Sequence, residues 1–175
     1  MAKINVNTTA KGTGLIATSA VRKGEVFYRI TKYKRVNQPT YTSIQIDLET
    51  HIEESVLNKL NHSCHPNLII NTTTLECVAA RNIEPHEELS FFYPSTEWEM
   101  NKPFVCMCGS PQCVRIVAGA RYLSLDILSL QFINRHIRYK ALSCLEEVFK
   151  KDVTVETIDS FRAETGVLSV SVTKA

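Results

Sequence analysis

No apolar stretch of this sequence approaches the ~20 residues that a membrane-spanning helix needs, and Met1-Ala2-Lys3-Ile4-Asn5 lacks the apolar core of an export signal. A soluble, intracellular protein with no membrane partner is expected, in cytoplasm or nucleus. Net charge is equally scarce. Twenty Lys and Arg stand against 18 Asp and Glu, a formal +2, so attraction to a phosphate backbone is not a leading idea and no direct nucleic-acid contact is expected. Internal repeats and low-complexity tracts are missing too, which sets aside solenoids and fibrous assemblies. What is there is ordinary for a globular chain: 44% hydrophobic and 22% charged residues in 175 positions. A domain of that length hides ~70% of its unfolded-state surface, so neither a disulfide nor a metal is required for bulk stability.

Short apolar runs bounded by turn residues fill the first two thirds and predict strands. They are Val26-Phe27-Tyr28 with Ile30, the alternating Ile44, Ile46 and Leu48, then Leu68-Ile69-Ile70, Cys77-Val78-Ala79 and residues 89–93. Turns are expected at Lys11-Gly12-Thr13-Gly14, Lys23-Gly24-Glu25, His65-Pro66-Asn67 and Glu84-Pro85-His86. One short helix is predicted over residues 53–60. Beyond residue 123 the period changes. Ser124 is placed to cap a helix carrying Leu125, Leu128 and Phe132, and Asn134 to cap a second whose stripe is Ile137, Ala141, Cys144, Leu145 and Val148. Residues 166–172 alternate Val or Leu with Ser and predict an edge strand.

Six cysteines stand at 64, 77, 106, 108, 113 and 144. Three form a C-x-C-x4-C cluster, whose two alternate thiols and later return suit a tetrahedral ion at ~2.3 Å. Cys64, in a tight turn between His62-Ser63 and His65-Pro66, is the best fourth ligand. Cys77 and Cys144 fall on a strand and on a helix stripe and read as buried small hydrophobes. A disulfide framework would need an oxidising compartment, for which no export signal speaks. A structural Zn2+ held by Cys64, Cys106, Cys108 and Cys113 is therefore expected, closed and without an open coordination position.

Three motifs occur in one order: Asn61-His62-Ser63-Cys64-His65-Pro66-Asn67, then Glu88-Leu89-Ser90-Phe91-Phe92-Tyr93, then Cys106-Met107-Cys108-Gly109 with Cys113. Together with Lys11-Gly12-Thr13-Gly14-Leu15 and Val21-Arg22-Lys23-Gly24-Glu25, this set resembles a SET domain with its post-SET cysteine cluster, over about residues 10–123. The resemblance implies a mainly β (α+β) fold in which the Asn61 and Tyr93 segments cross as a pseudoknot. The expected layout is a SET domain over 1–123, its zinc cluster at about 103–119, and a helical extension over 124–175. It also implies an S-adenosylmethionine-dependent methyltransferase acting on a lysine ε-amine of a protein partner. Lys11, Thr13, Leu15, Asn61, His62 and Met107 match cofactor-binding positions, and Tyr93 matches the catalytic tyrosine. Oligomeric state is left open.

Chemistry supports the same roles. Methyl transfer from a sulfonium needs in-line geometry and a neutral amine, and free lysine has a pKa of ~10.4, so an apolar channel is a natural requirement. Phe91, Phe92 and Tyr93 offer aromatic walls, and a phenol adds one directed oxygen. Phe92 stands where the family commonly has an acidic residue, and His86 and Arg115 stand where it commonly has glycine. Altered local backbone is expected at those two. A scaffold turned to partner binding or to a small-molecule substrate is the alternative reading.

Overall fold

A computed structural model of the protein describes residues 4–9 and 12–152, with side chains through residue 147. Lys11 and the strand expected at 166–172 lie outside the described residues. The fold is mostly β. Its strands are β1 (Ile4–Thr9), β2 (Gly12–Ala17), β3 (Val26–Arg29), β4 (Lys34–Val36), β5 (Ile44–Gln45), β6 (His51–Glu53), β7 (Asn61–His62), β8 (Leu68–Asn71), β9 (Glu76–Ala79), β10 (Glu88–Phe91), β11 (Phe104–Val105) and β12 (Ile116–Val117). Among the described residues two α-helices follow, α1 (Leu125–Ser129) and α2 (Arg135–Asp152). None of the described helices is long and apolar enough to cross a membrane.

The principal sheet runs β1-β2-β10-β8-β9-β3, with β7 also paired to β10. Strand β10 is its hub. It lies antiparallel to β2 through Leu89↔Leu15, and parallel to β7 and β8 through Ser90↔Asn61, Phe91↔His62 and Phe91↔Leu68. A strand paired on both edges and covered on both faces reads as a continuous buried run, and Leu89, Ser90 and Phe91 are all buried. Asn67 fastens the crossing: its Nδ2 donates to the Glu88 carbonyl at 2.8 Å and its Oδ1 accepts the Ser90 N–H at 2.8 Å. Strands β8 and β9 alternate buried and half-buried positions in antiparallel register, as their period-2 pattern dictates. Smaller sheets, β4-β6-β5 and β11-β12, flank the hub.

Several expectations are corrected. Residues 53–60 do not form a helix: Glu53 pairs with Lys34 in the β4–β6 ladder and Asn61 pairs with β10, so only a single 3-10 turn, Leu57–Lys59, fits between them. The alternation across residues 44–48 yields strand only at Ile44–Gln45, because the Gln45 side chain turns back onto the Asp47 and Leu48 carbonyls. Ser124 does cap α1, accepting the Ile127 N–H. Asn134 occupies the turn before α2, but its side chain faces inward. It accepts from the Thr72 N–H at 2.9 Å and donates to the Ile70 and Ser95 carbonyls at 2.9 Å each, tying the helix start to β8.

The chain divides into two compact units, Met1–Lys140 and Ala141–Ala175. In the first, one core gathers Leu15, Ile52, Leu68, Ile70 and Leu89, and a second gathers Phe92, Val117, Leu128, Ile133 and Ile137 around Cys64 and Cys106. Cys77 is buried as expected. Cys144 is exposed, contrary to expectation. Seven residues after Ile137 it shares that helix face, but the rise of the helix carries it about 10 Å farther along the axis. The backbone at His86 and Arg115 also departs from expectation. Both are left-handed, with φ of 69° and 65°, so the side chains are carried on the conformation that glycine favours.

Candidate active site

A cavity of about 680 Å³, within the range that ligand sites occupy, opens in the first unit beside the β7–β10 crossing. Thr13, Asn61, His62, Tyr93 and Met107, all singled out in the sequence, line it. Leu15 does not; it is buried in the core opposite Leu89. The approach of β2 to β7 is close. A Cβ on Gly14 would stand 2.8 Å from Asn61 Nδ2 and 2.7 Å from Thr9 Cγ2, so only glycine leaves the Asn61 amide where it is. From there Nδ2 donates to Glu88 Oε1 at 2.8 Å and to the Thr13 carbonyl at 3.3 Å.

Tyr93 begins a 3-10 turn, Tyr93–Ser95, directly after β10. Its hydroxyl donates to the Leu60 carbonyl at 2.7 Å, fixing the phenol at the end of β10. Phe91 and Phe104 stand around its ring, with centroids 4.8 and 6.1 Å away. Burial, then the neighbouring Tyr41, Glu97 and Glu88, push the phenol above its ordinary pKa, so it stays neutral at physiological pH. Phe92 is not part of this wall. Successive strand residues face opposite sides, and its ring packs into the second core.

Below the phenol lie the cysteines. Cys64 follows β7, and the β11–β12 hairpin carries the others, closed by the Cys106 N–H on the Arg115 carbonyl at 2.6 Å. The four Sγ atoms of Cys64, Cys106, Cys108 and Cys113 all lie within 4.8 Å of one another, Cys64 and Cys106 at 3.9 Å. Tetrahedral zinc with ~2.3 Å bonds needs sulfurs about 3.8 Å apart, so the donor set fits that ion. Burial pushes the Cys64 and Cys106 thiols up, whereas at Cys108 the Ser110 N–H and the surrounding donors outweigh burial and bring the thiol down. His62 joins the two centres. Its Nε2 lies 3.2 Å from Cys64 Sγ, while Nδ1 accepts the Tyr93 N–H at 3.3 Å. The resemblance gives His62 a cofactor-binding position; its side chain adds this bridge.

Sequence reasoning missed a buried polar knot behind Tyr93. Glu97 Oε1 accepts the Gln45 N–H at 2.8 Å, Gln45 Oε1 accepts the Trp98 N–H at 3.0 Å, and His51 packs alongside. Spacing carried the signal, since Glu97 lies one helical turn beyond Tyr93. Burial of a carboxylate was the part no composition shows.

The model of a family described as the SET domain matches residues 12–94. A methyltransferase of Aspergillus flavus, flvH, is 38% identical over 133 residues, which cover 74% of this chain and 73% of that protein. A histone-lysine N-methyltransferase of Candida albicans, H3 lysine-36 specific, is 22% identical; the match spans 94% of this chain but only 24% of that protein. Among solved structures, the methyltransferase domain of human SETMAR is similar with a TM-score of 0.49 and 21% identity, covering 66% of this chain and 58% of that one. KRYPTONITE in complex with mCHG DNA and SAH gives 0.47 and 24%, covering 65% and 28%.

Proposed function

This chain belongs to the SET-domain family and is a methyltransferase, and from that premise we propose that it moves the methyl group of S-adenosylmethionine to a lysine ε-amine of a protein. The observation that carries the reading is the convergence of Tyr93, Phe91, Asn61 and His62 on one cavity. When bound, S-adenosylmethionine supplies a sulfonium-activated methyl group. Thr13, Asn61, His62 and Met107 would hold it, with the Asn61 amide oriented by Glu88; Lys11 and Leu15 are carried over from the resemblance alone. Phe91, Phe104 and the ring of Tyr93 exclude water from the acceptor, which favours its neutral form. The Tyr93 oxygen, steadied by the Leu60 carbonyl, directs the amine. Zn2+ on Cys64, Cys106, Cys108 and Cys113 would anchor the Met107 wall without taking part in the chemistry. A distant relative named as a histone-lysine N-methyltransferase supports a protein acceptor.

A small-molecule amine as acceptor is the second reading, favoured by the rim. Lys102, its Nζ 5.4 Å from the Tyr41 ring centroid, is the sole Lys or Arg among the described residues lining the cavity, and it suits an acceptor with its own negative charge better than a basic tail. The test is incubation of the protein with methyl-labelled cofactor and a cell lysate. Label on mapped lysines of precipitated protein supports the first reading; label confined to the soluble small-molecule fraction replaces it with the second.

A further inference from the structure

Glu97 lies one turn beyond Tyr93, its N–H donating to the Tyr93 carbonyl at 3.0 Å. It is the only Asp or Glu among the described residues lining the cavity, and its side chain is 10% exposed. One oxygen is occupied: Oε1 accepts from the Gln45 N–H at 2.8 Å and from the Thr96 hydroxyl at 3.1 Å. The other is not matched in the same way. Oε2 stands 3.8 Å from Nδ1 of His51, too far for a hydrogen bond, and that buried nitrogen has no hydrogen-bond partner among the described residues. A carboxylate taken out of water needs donors or a cation, and these walls serve only half of it. Around the pair, burial followed by Lys140 and His136 holds His51 below its ordinary pKa, against the opposing pull of Glu49. Tyr93 and Thr96 face Glu97 from its own turn.

We propose that Glu97 receives the charged amine of the acceptor: the substrate enters as an ammonium ion, pairs with the Glu97 carboxylate, and gives its proton to Oε2. The inference rests on the reading of this cavity as an amine-methylating site and assigns its acceptor class, an amine that is cationic in water. In the step, one N–H bond breaks and one O–H bond forms. Nitrogen keeps the electron pair and becomes the neutral nucleophile, and the carboxyl later releases its proton to bulk water. Two opposite charges disappear together, which a water-poor cavity favours. Burial raises the Glu97 carboxyl to about 7, and the same desolvation lowers an amine from ~10.4, so the two groups approach the matched affinities that transfer requires.

The experiment uses the zinc-loaded full chain saturated with S-adenosylhomocysteine, and two probes of one shape: n-butylammonium chloride and uncharged n-butanol. In the wild type, butylammonium is expected to raise the thermal midpoint at a concentration at least tenfold below that needed for butanol at pH 8. That preference should shrink at pH 6, where Glu97 takes its proton from solvent. Glu97→Gln keeps the shape and the Oε1 acceptor, so it should lose the preference and retain the shift caused by S-adenosylhomocysteine. Equal response to the two probes in the wild type, or an undiminished preference in Glu97→Gln, overturns the inference. The wild-type comparison and its pH dependence decide the matter even if the variant fails to fold. Absence of label transfer in the lysate assay with the ammonium preference intact counts against the protein-lysine reading and leaves this one standing.

Discussion

Replacing Tyr93 by Phe removes one oxygen and leaves the ring contacts with Phe91, His62 and Phe104 in place. Two consequences follow from different atoms. The Leu60 carbonyl loses its 2.7 Å donor. It sits at the wall of an open cavity where water replaces that donor, so the loss is a net hydrogen bond of about 1 kcal/mol rather than an orphaned group. For a chain of this size that is a fall of about 2–4 °C in thermal midpoint. The reaction, in contrast, loses the directed polar contact of the phenol to the amine. Positioned polar groups in water-poor sites contribute ~2.7–4 kcal/mol, so turnover should fall by about 10²–10³. Cofactor binding, carried by other residues, should stay. The assay is paired: thermal midpoint with and without S-adenosylmethionine, and initial rate on the acceptor found by labelling. Full turnover in Tyr93→Phe, with or without a stability loss, would refute the role of the phenol. Its neutrality adds a second check. Since burial raises its pKa, no limb of the rate profile between pH 6 and 9 should disappear in the Phe variant.

Cys108→Ser should lose one equivalent of zinc by metal analysis while Cys144→Ser, on the exposed helix face, keeps it; full retention in Cys108→Ser would remove that thiol from the site. Gly14→Ala forces the Asn61 amide away by its 2.8 Å clash, so the rise in midpoint caused by S-adenosylmethionine should vanish while the fold persists; an undiminished rise would free Asn61 from the cofactor. His86→Gly relieves a left-handed non-glycine residue, a strain of roughly 1–2 kcal/mol partly offset by the greater freedom of glycine in the unfolded chain; the urea midpoint should rise slightly, and a fall would contradict the strain. Glu97 binds its proton more tightly when folded, so its contribution is full below the unfolded carboxylate range and is lost as pH rises through about 7. The part of stability owed to Glu97 should therefore fall as pH rises from about 5 to 7, against the gain from His51 and His136, both held below their ordinary pKa, and Glu97→Gln should remove that fall.

The sequence by itself determined whatever depends on neighbours along the chain. Short apolar runs between turn residues marked β8 and β9, Ser124 marked the start of α1, and the spacing of Cys106, Cys108 and Cys113 marked a metal claw, because each pattern is set within a few residues. Three motifs in one order were enough to bring out the family. Tertiary structure decided the rest. Residues 53–60 have helical composition, yet ladder partners far along the chain claim both ends. Phe92 reads as one of three aromatic wall residues until the pleat of β10 turns it into the second core. Cys64 meets Cys106 only because β7 and the β11–β12 hairpin are brought together across 42 residues of chain. The carboxylate of Glu97 looks like any surface charge in a sequence; its burial beside Tyr93 and His51 arises where β5, β6 and the turn after β10 meet, since solvation is a property of the packed surroundings and not of the residue.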